Sequence, residues 1–288
     1  MRIRSFAKIN LGLEIVGKRP DDYHEVRTLY QTISLSDAMD FMPTDEDRIE
    51  LSGTDPSIPW DKGNLIYRAA ELLQQRYSLR GGVSIRVEKN IPAGKGLGGG
   101  SANAAMTLFA LNSLWEIGCS IAGLQKLGSE LGADVPYFLQ GGLCLGTGRG
   151  DVLQPLRDLP ALACLLILPK IFISTAGVYA NFCKSLTSKD KDSKIIQFLD
   201  SPDLVGLYNE LEETIFRSYP QVEDIKDRLR AFEPELSLVS GSGSAVFAIF
   251  TDHRQADRAR IKLRPEFTVC LTETLSRERY WDQVKTGV

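Results

Sequence analysis

Two α+β domains in one chain are what this sequence predicts, on three observations. In the first half, an alternating apolar strand runs into a glycine-rich loop and then into a helical pattern rich in Ala and Leu. In the last part, the order strand–helix–helix–strand–strand–helix–strand describes an antiparallel ferredoxin-like sheet with helices on one face. Between them, around Leu153 to Pro160, glycine density falls and prolines bracket a boundary, dividing the chain into 1–156 and 157–288. At 288 residues the chain is long enough for two domains or one large one.

The elements follow from local pattern. Met1 to Val16 reads as a strand, with Ile3, Phe6, Ile9, Leu11, Leu13 and Ile15 as its apolar residues. Strand side chains alternate, so Lys8 and Asn10 share a face beside Gly12. That face is either a solvated strand edge or part of a site. The loop Gly17 to Glu25 is polar, with Pro20, Asp21 and Asp22 as turn formers, and leads into a strand from Val26 to Leu35. Tyr23-His24 ends the loop. An aromatic beside an imidazole suits a flat base, one ring stacking and the other bonding an edge; core packing is the plain alternative. Asp45 to Asp61 reads as irregular, and Asn64 caps a helix to Tyr77.

After the strand Val83 to Glu88 comes the stretch Pro92 to Ala105. Five of its residues are glycine, at 94, 96, 98, 99 and 100. Glycine tolerates positive φ and lets a ligand approach the backbone. Amides there point into one concavity, and the following helix, from about Ala102 to Trp115, adds partial positive charge. Ser101 reads as that helix's N-cap. The pattern is not the Walker form, since no Lys-Ser or Lys-Thr closes it, and its glycine spacing is not that of a dinucleotide site.

A helix from Ile121 to Leu131 ends at Gly132 as C-cap. Asp134 then lies between a helix end and an apolar run, just before Pro136. It is either a turn former or a partly buried carboxylate in need of a cation or donors. Gly141-Gly142 and Gly146-x-Gly148-x-Gly150 surround a short strand and support the site region. Ala161 to Leu168 is a buried strand, and Ser174-Thr175 opens a helix. Thr187 to Lys194 is a charged run read as a solvated loop. Helices at about Leu204 to Ser218 and Val222 to Ala231 follow. Strands Leu236 to Val239 and Ala245 to Phe250, a helix Asp252 to Lys262 and a strand Thr268 to Thr274 complete the chain.

Composition excludes several classes. With 43% hydrophobic and 25% charged residues the chain is an ordinary globular protein, and its net charge of −3 offers no basic field to nucleic acid or anionic membrane. Five scattered cysteines and two histidines, with no C-x-x-C, argue for reduced thiols and against a zinc site. No signal-peptide core, transit peptide or transmembrane run is evident, so the expected location is the cytoplasm, or the plastid stroma for a mature organellar form.

Pro92 to Asn103 resembles the phosphate loop of the GHMP kinases, the galacto-, homoserine, mevalonate and phosphomevalonate kinase superfamily. Its Gly-Leu-Gly-Gly-Gly-Ser-x-Asn form is similar to that of the diphosphocytidyl-methylerythritol kinases of isoprenoid synthesis. Ala7 to Leu11 with Gly17 to His24 resembles their amino-terminal motif. Gly132 to Phe138 resembles their catalytic-acid motif, and Gly241 to Phe247 the third GHMP motif. These motifs span nearly the whole chain in order. Residue 102 is Ala where that family often has Ser.

The resemblance implies a ribosomal protein S5 domain 2-like amino-terminal domain and a ferredoxin-like carboxyl-terminal one around a cleft. It implies ATP as phosphoryl donor with Mg²⁺, and a small-molecule substrate, 4-diphosphocytidyl-2-C-methyl-D-erythritol. Lys8 and Asp134 become the catalytic pair. Asn64 and Leu65 fall at adenine. Pro92, Ala93, Gly94, Lys95, Gly96, Leu97, Gly98, Gly99, Gly100, Ser101 and Ala102 fall on the ATP phosphates, with Ser101 also on the metal. Asn10, Tyr23, His24, Thr175, Tyr179, Gly241 and Ser242 fall on the substrate, Tyr23 and Tyr179 sandwiching its cytosine. A monomer or weak homodimer is expected. A different GHMP small-molecule kinase (homoserine, sugar or mevalonate type) and a catalytically silent ligand sensor on this fold are the competing readings.

Overall fold

A long antiparallel pair forms the spine of the molecule: β1 (Arg2–Lys18) against β2 (His24–Thr44). The computed structural model describes residues 1–182 and 193–285. Around the spine lie β3 (Ile49–Gly53), α1 (Leu65–Tyr77), β4 (Gly82–Glu88), α2 (Gly99–Leu114), α3 (Ile121–Leu131), α4 (Val135–Phe138), β5 (Leu143–Thr147) and β6 (Val152–Pro155). They make a six-stranded sheet of order β3-β4-β2-β5-β6, with β1 on the remaining edge of β2. The rest of the chain comprises β7 (Ala163–Ile167), α5 (Thr175–Ala180), α6 (Lys194–Asp200), α7 (Glu212–Ser218), α8 (Pro220–Arg230), β8 (Leu236–Val239), β9 (Val246–Phe250), α9 (His253–Leu263), β10 (Val269–Glu273) and α10 (Arg277–Lys285). Its sheet, β10-β7-β9-β8, is antiparallel throughout.

The second sheet is apolar on both faces, and the alternation of its strands explains how. Cys164, Leu166, Phe247 and Ile249 point toward Ile9, Leu11 and Leu29 of the spine and Leu145 of β5. Leu165, Ile167, Ala248 and Phe250 point the other way, onto Ile215, Ile225 and Ala256 of the helices. The first core lies under the first sheet, where Phe6, Met39 and Ile85 meet α1, α2 and α3. The two sheets are also stitched together. β5 and β4 occupy one edge of β2 at 28–31 and 38–44, and residues 272–275 enter the gap between them. There Leu275 N–H donates to the Thr32 carbonyl at 2.9 Å, and Ser34 and Thr272 hydroxyls meet at 2.7 Å.

Several local expectations are corrected. β2 runs nine residues past Leu35, because β4 pairs with its far end. The segment 45–61 contains β3, which pairs parallel with β4 through Ile49 and Leu51, too few apolar residues to show a period. The helix expected from Leu204 starts only at Glu212. Gly206 at φ +85° interrupts the pattern, and β1 takes the backbone: Leu13 N–H donates to the Tyr208 carbonyl, and Glu210 N–H to the Leu13 carbonyl, each at 2.9 Å. α6, capped by Ser193, and α10 were not expected. α10 returns to the first core, burying Tyr280 and Val284. Of the charged run, 187–192 lie outside the described residues. The four described cysteines are free thiols.

Candidate active site

The glycine stretch leaves β4 and enters α2 at the floor of a cavity of about 1240 Å³ between the two sheets. Gly94, Gly96 and Gly98 hold φ of +66°, +75° and +70°. Two of them also permit close approaches. A Cβ on Gly96 would lie 2.0 Å from the Ser240 carbonyl oxygen, and one on Gly98 would lie 2.6 Å from the Phe138 ring. α2 begins at Gly99 with Gly98 as its N-cap, so Ser101 is not the cap but the third helical residue. The first helical bond runs from Ala102 N–H to the Gly98 carbonyl, 2.8 Å. The amides of Gly99, Gly100 and Ser101 therefore have no partner within the helix. A 16-residue helix with no acid in its first turn presents its positive end here, which fits a polyphosphate.

Lys8 reaches the same cavity from β1. Register shifts between Phe6 and Lys8 and between Asn10 and Gly12 flank the segment, and bulges of this kind re-aim side chains. The strand is tied to the loop by Lys8 N–H donating to the Leu97 carbonyl, 3.0 Å. Although 96% buried, the ammonium is partnered: it donates to Asn10 Oδ1 at 2.6 Å and lies 3.5 Å from Asp134 Oδ2. Asn10 in turn donates to Thr28 Oγ1 at 2.8 Å, and Thr28 to the Gly12 carbonyl at 2.8 Å, which fixes the amide's orientation. The solvated-edge alternative for this face is therefore excluded.

Asp134 precedes α4 but makes no capping bond with its side chain. Its carboxylate faces the cavity, a third exposed, with Tyr30 Oη donating to Oδ1 at 3.0 Å. Burial, and then the charge of Asp134, push the Tyr30 phenol well above its ordinary value, so it stays protonated as a donor. The glycines of 146–150 make room for it: a Cβ on Gly146 would lie 2.6 Å from the Tyr30 ring, and one on Gly150 would lie 2.3 Å from its hydroxyl.

A second lobe holds the aromatic residues. The His24 ring lies 5.2 Å from that of Tyr179 at 34°, with Phe182 edge-on at 6.4 Å. Burial first, then the charge of Lys18, hold the His24 imidazole below its ordinary value. A neutral imidazole keeps one acceptor and one donor nitrogen, as an edge contact to a base requires. Tyr23 is half exposed at the rim, with the Arg149 guanidinium 5.1 Å over its ring. Thr175 and Ser242 hydroxyls meet at 2.7 Å, and Gly241 backs onto Asn10 and Lys8. At the opposite end, Asn64 caps α1 through Ile66 N–H and donates to the Pro59 carbonyl at 2.9 Å, beside Leu65, Ile58 and Trp60.

Of the residues the sequence singles out, all line this one cavity except Ala102, whose methyl is buried in the first core. Lys95 lines it too, but its ammonium is turned to Pro169, Ile171 and Ser244. The rings of Tyr23 and Tyr179 pack on Arg149 and His24 respectively. Sequence reasoning missed Tyr30, Thr28, Arg149 and Trp60. Tyr30 had a readable signal, since it follows His24 by an even number of residues on one strand and so shares its face.

Comparison with known proteins agrees with this geometry. Residues 64–142 match the GHMP kinases N terminal domain and residues 195–267 the GHMP kinases C terminal domain. The chain is 39% identical over 251 residues to a 4-diphosphocytidyl-2-C-methyl-D-erythritol kinase of Bacillus cereus (strain AH187), covering 86% of this chain and 87% of that one. A crystal structure of a 4-(cytidine 5'-diphospho)-2C-methyl-D-erythritol kinase superposes with a TM-score of 0.82 at 34% identity, over 95% of this chain and 99% of that one. Homoserine kinase from Cytophaga hutchinsonii shares the fold, with a TM-score of 0.73 at 19% identity over 96% and 95% of the two chains. The ferredoxin-like second sheet and the ordered motifs are thus those of a two-domain GHMP kinase, and the chain belongs to the 4-diphosphocytidyl-2-C-methyl-D-erythritol kinase family.

Proposed function

We propose that the protein transfers the γ-phosphoryl group of ATP to the 2-hydroxyl of 4-diphosphocytidyl-2-C-methyl-D-erythritol. The products are the 2-phosphate and ADP, and the step belongs to isoprenoid precursor synthesis. The observation that carries this reading is a single cavity holding three things together: the open end of α2, the Lys8–Asp134 pair, and the His24–Tyr179 aromatic lobe. Phosphoryl transfer depends on in-line positioning and charge neutralisation rather than covalent chemistry.

In this reading the amides of Gly99 to Ser101 hold ATP phosphates, with adenine beside Leu65 and Trp60. Asp134 accepts the proton of the substrate hydroxyl late in the transfer, because an alcohol resists full ionisation. Lys8 offsets the charge developing between hydroxyl and phosphate. Tyr30 holds the Asp134 carboxylate and Asn10 orients the polyol. Tyr23, His24 and Tyr179 take the cytosine, and stacking of a base on an aromatic ring adds about 1–3 kcal/mol of affinity per base. Arg149 and Lys18, in the same wall, face the substrate diphosphate.

Magnesium fits as a cation carried by the nucleotide. The cavity's carboxylates are Asp21, Asp22 and Asp134, and no cluster of three or more metal-ligating side chains exists among the described residues. Phosphate oxygens and water would supply most of its ligands, with the Ser101 hydroxyl as a protein contribution. A monomer or weak homodimer is the proposed assembly. Among the described residues no helix is long and apolar enough to cross a membrane; a cytoplasmic location accords with the function.

The test is a coupled ADP-release assay on a substrate panel. Turnover with 4-diphosphocytidyl-2-C-methyl-D-erythritol should exceed that with homoserine, mevalonate or galactose by at least about a hundredfold in kcat/KM, given two stacked ring faces and an edge contact absent from those ligands. A preference for any of the others, or no ATP consumption at all, would refute the assignment.

A further inference from the structure

Lys95 lies within the glycine loop, where a lysine would be expected on phosphate, yet its ammonium is directed elsewhere. An ammonium has three N–H donors. Three oxygens from beyond the boundary between the sheets take them: the Pro169 carbonyl at 2.7 Å, the Ile171 carbonyl at 2.6 Å and Ser244 Oγ at 3.2 Å. Ser244 Oγ donates in turn to the Ile171 carbonyl at 2.7 Å. The Lys95 carbonyl accepts from Ala245 N–H at 3.1 Å. Burial lowers the ammonium's proton affinity, so this arrangement holds a partly desolvated cation on fixed dipoles.

The acceptors belong to the segment joining β7 to α5. Leu168 N–H is bonded to the Thr268 carbonyl where the segment leaves the sheet, and Ser174 caps α5 where it ends. Between those points the carbonyls of Pro169 and Ile171 rest on Lys95 and Ser244. α5 carries Thr175 and Tyr179, which line the aromatic lobe. The glycine loop, by contrast, has anchors of its own: Lys8 N–H on the Leu97 carbonyl at 3.0 Å and Ser240 Oγ on the Gly96 carbonyl at 2.9 Å.

We propose that Lys95 is a positioning residue for the second substrate rather than an ATP ligand: from within the nucleotide loop it holds segment 169–171, and through it Thr175 and Tyr179, in register with the phosphate cradle. The inference rests on the proposed kinase function. Loss of the ammonium should therefore be felt at the arm it holds and not at the loop it comes from.

The test is Lys95→Met, with initial rates measured while ATP and the cytidylyl substrate are varied separately. KM for the cytidylyl substrate should rise about tenfold, the scale of losing hydrogen bonds to a charged donor, while KM for ATP stays within about twofold. Ser244→Ala should show the same split at smaller size, and keeps the test open if Lys95→Met does not fold. The double variant should fall short of the product of the two, because both act on the Ile171 carbonyl. A rise in KM for ATP alone would make Lys95 a phosphate ligand; equal rises, or none, would leave it a structural residue, and each result overturns the proposal. A wild-type enzyme inert toward the cytidylyl substrate would overturn the proposed function and this inference with it, and the wild-type arm reads that separately.

Discussion

Asp134→Asn is expected to lower kcat by about three orders of magnitude, within the range that general-base catalysis contributes, while KM for ATP changes little. The substitution preserves shape and keeps an acceptor for Tyr30, whose hydroxyl bonds Oδ1 at 3.0 Å. It removes the basic oxygen 3.5 Å from the Lys8 ammonium, which is then left without a carboxylate partner. Because Asp134 makes no capping bond to α4 with its side chain, the loss does not propagate through a helix terminus. In the proposed reading ATP is held by the amides at the start of α2, a different element, so its binding should not be coupled to the carboxylate. Steady-state kinetics with each substrate varied in turn checks the split. Near-normal turnover would remove Asp134 from the chemistry, and a matching rise in KM for ATP would make its role structural.

Gly96→Ala is expected to reduce kcat/KM for ATP by about a hundredfold or more. Two costs combine there. An L-residue at φ +75° pays about 1–2 kcal/mol for the left-handed conformation. The new methyl would also lie 2.0 Å from the Ser240 carbonyl oxygen, a backbone atom that no rotamer change can move away. Relief requires the loop and the 240–244 segment to separate by about 1 Å, and a displacement of that size from productive geometry costs on the order of 10² in rate. Gly118→Ala is the control. Its φ of +71° imposes the same backbone strain, but nothing lies within 4 Å of the added methyl. Thermal denaturation and kinetics of the two variants separate strain from misplacement: both should lose some stability, and only Gly96→Ala should lose activity. Equal kinetics for the two would show that the close approach does not matter.

How much of this was legible in the sequence depends on whether a signal was local. α3 falls on Ile121–Leu131 as its period predicts, and Asn64, Ser174 and Asp252 cap the helices they precede. The ferredoxin-like order survives because strand alternation and cap chemistry are properties of short windows. β3 does not, because a strand with two apolar residues is defined by the β4 edge it pairs with. Residues 204–211 mimic a helix through Leu207 and Leu211, but tertiary bonds to β1 win their backbone. α10 carried the readable pair Tyr280 and Val284, four apart; its docking on the first core, where Tyr280 Oη donates to the Phe138 carbonyl, was not local information.

The site divides the same way. The glycines are written in adjacent residues; the start of α2 is not, because its cap is Gly98, which has no side chain to mark it, rather than the expected Ser101. Asp134's partners are 126 and 104 positions away, at Lys8 and Tyr30, and only the register that pairs Asn10 with Tyr30 brings those two beside it. Motif resemblance located Lys8 and Asp134; it carried no information on Tyr30, on the closed hydrogen bonds of Asn10, or on the direction of the Lys95 ammonium.

The most direct measurement is a double-variant cycle on kcat at saturating ATP and cytidylyl substrate, using Lys8→Met, Asp134→Asn and the pair together. If cation and carboxylate act as one unit on the same hydroxyl, each single change should remove most of the rate, and the double variant should be no more than about tenfold slower than the worse single, as for other catalytic groups that fail together. Losses that multiply in full would mean that Lys8 and Asp134 act on separate events, and that the ion pair between β1 and α4 is not the centre of the reaction.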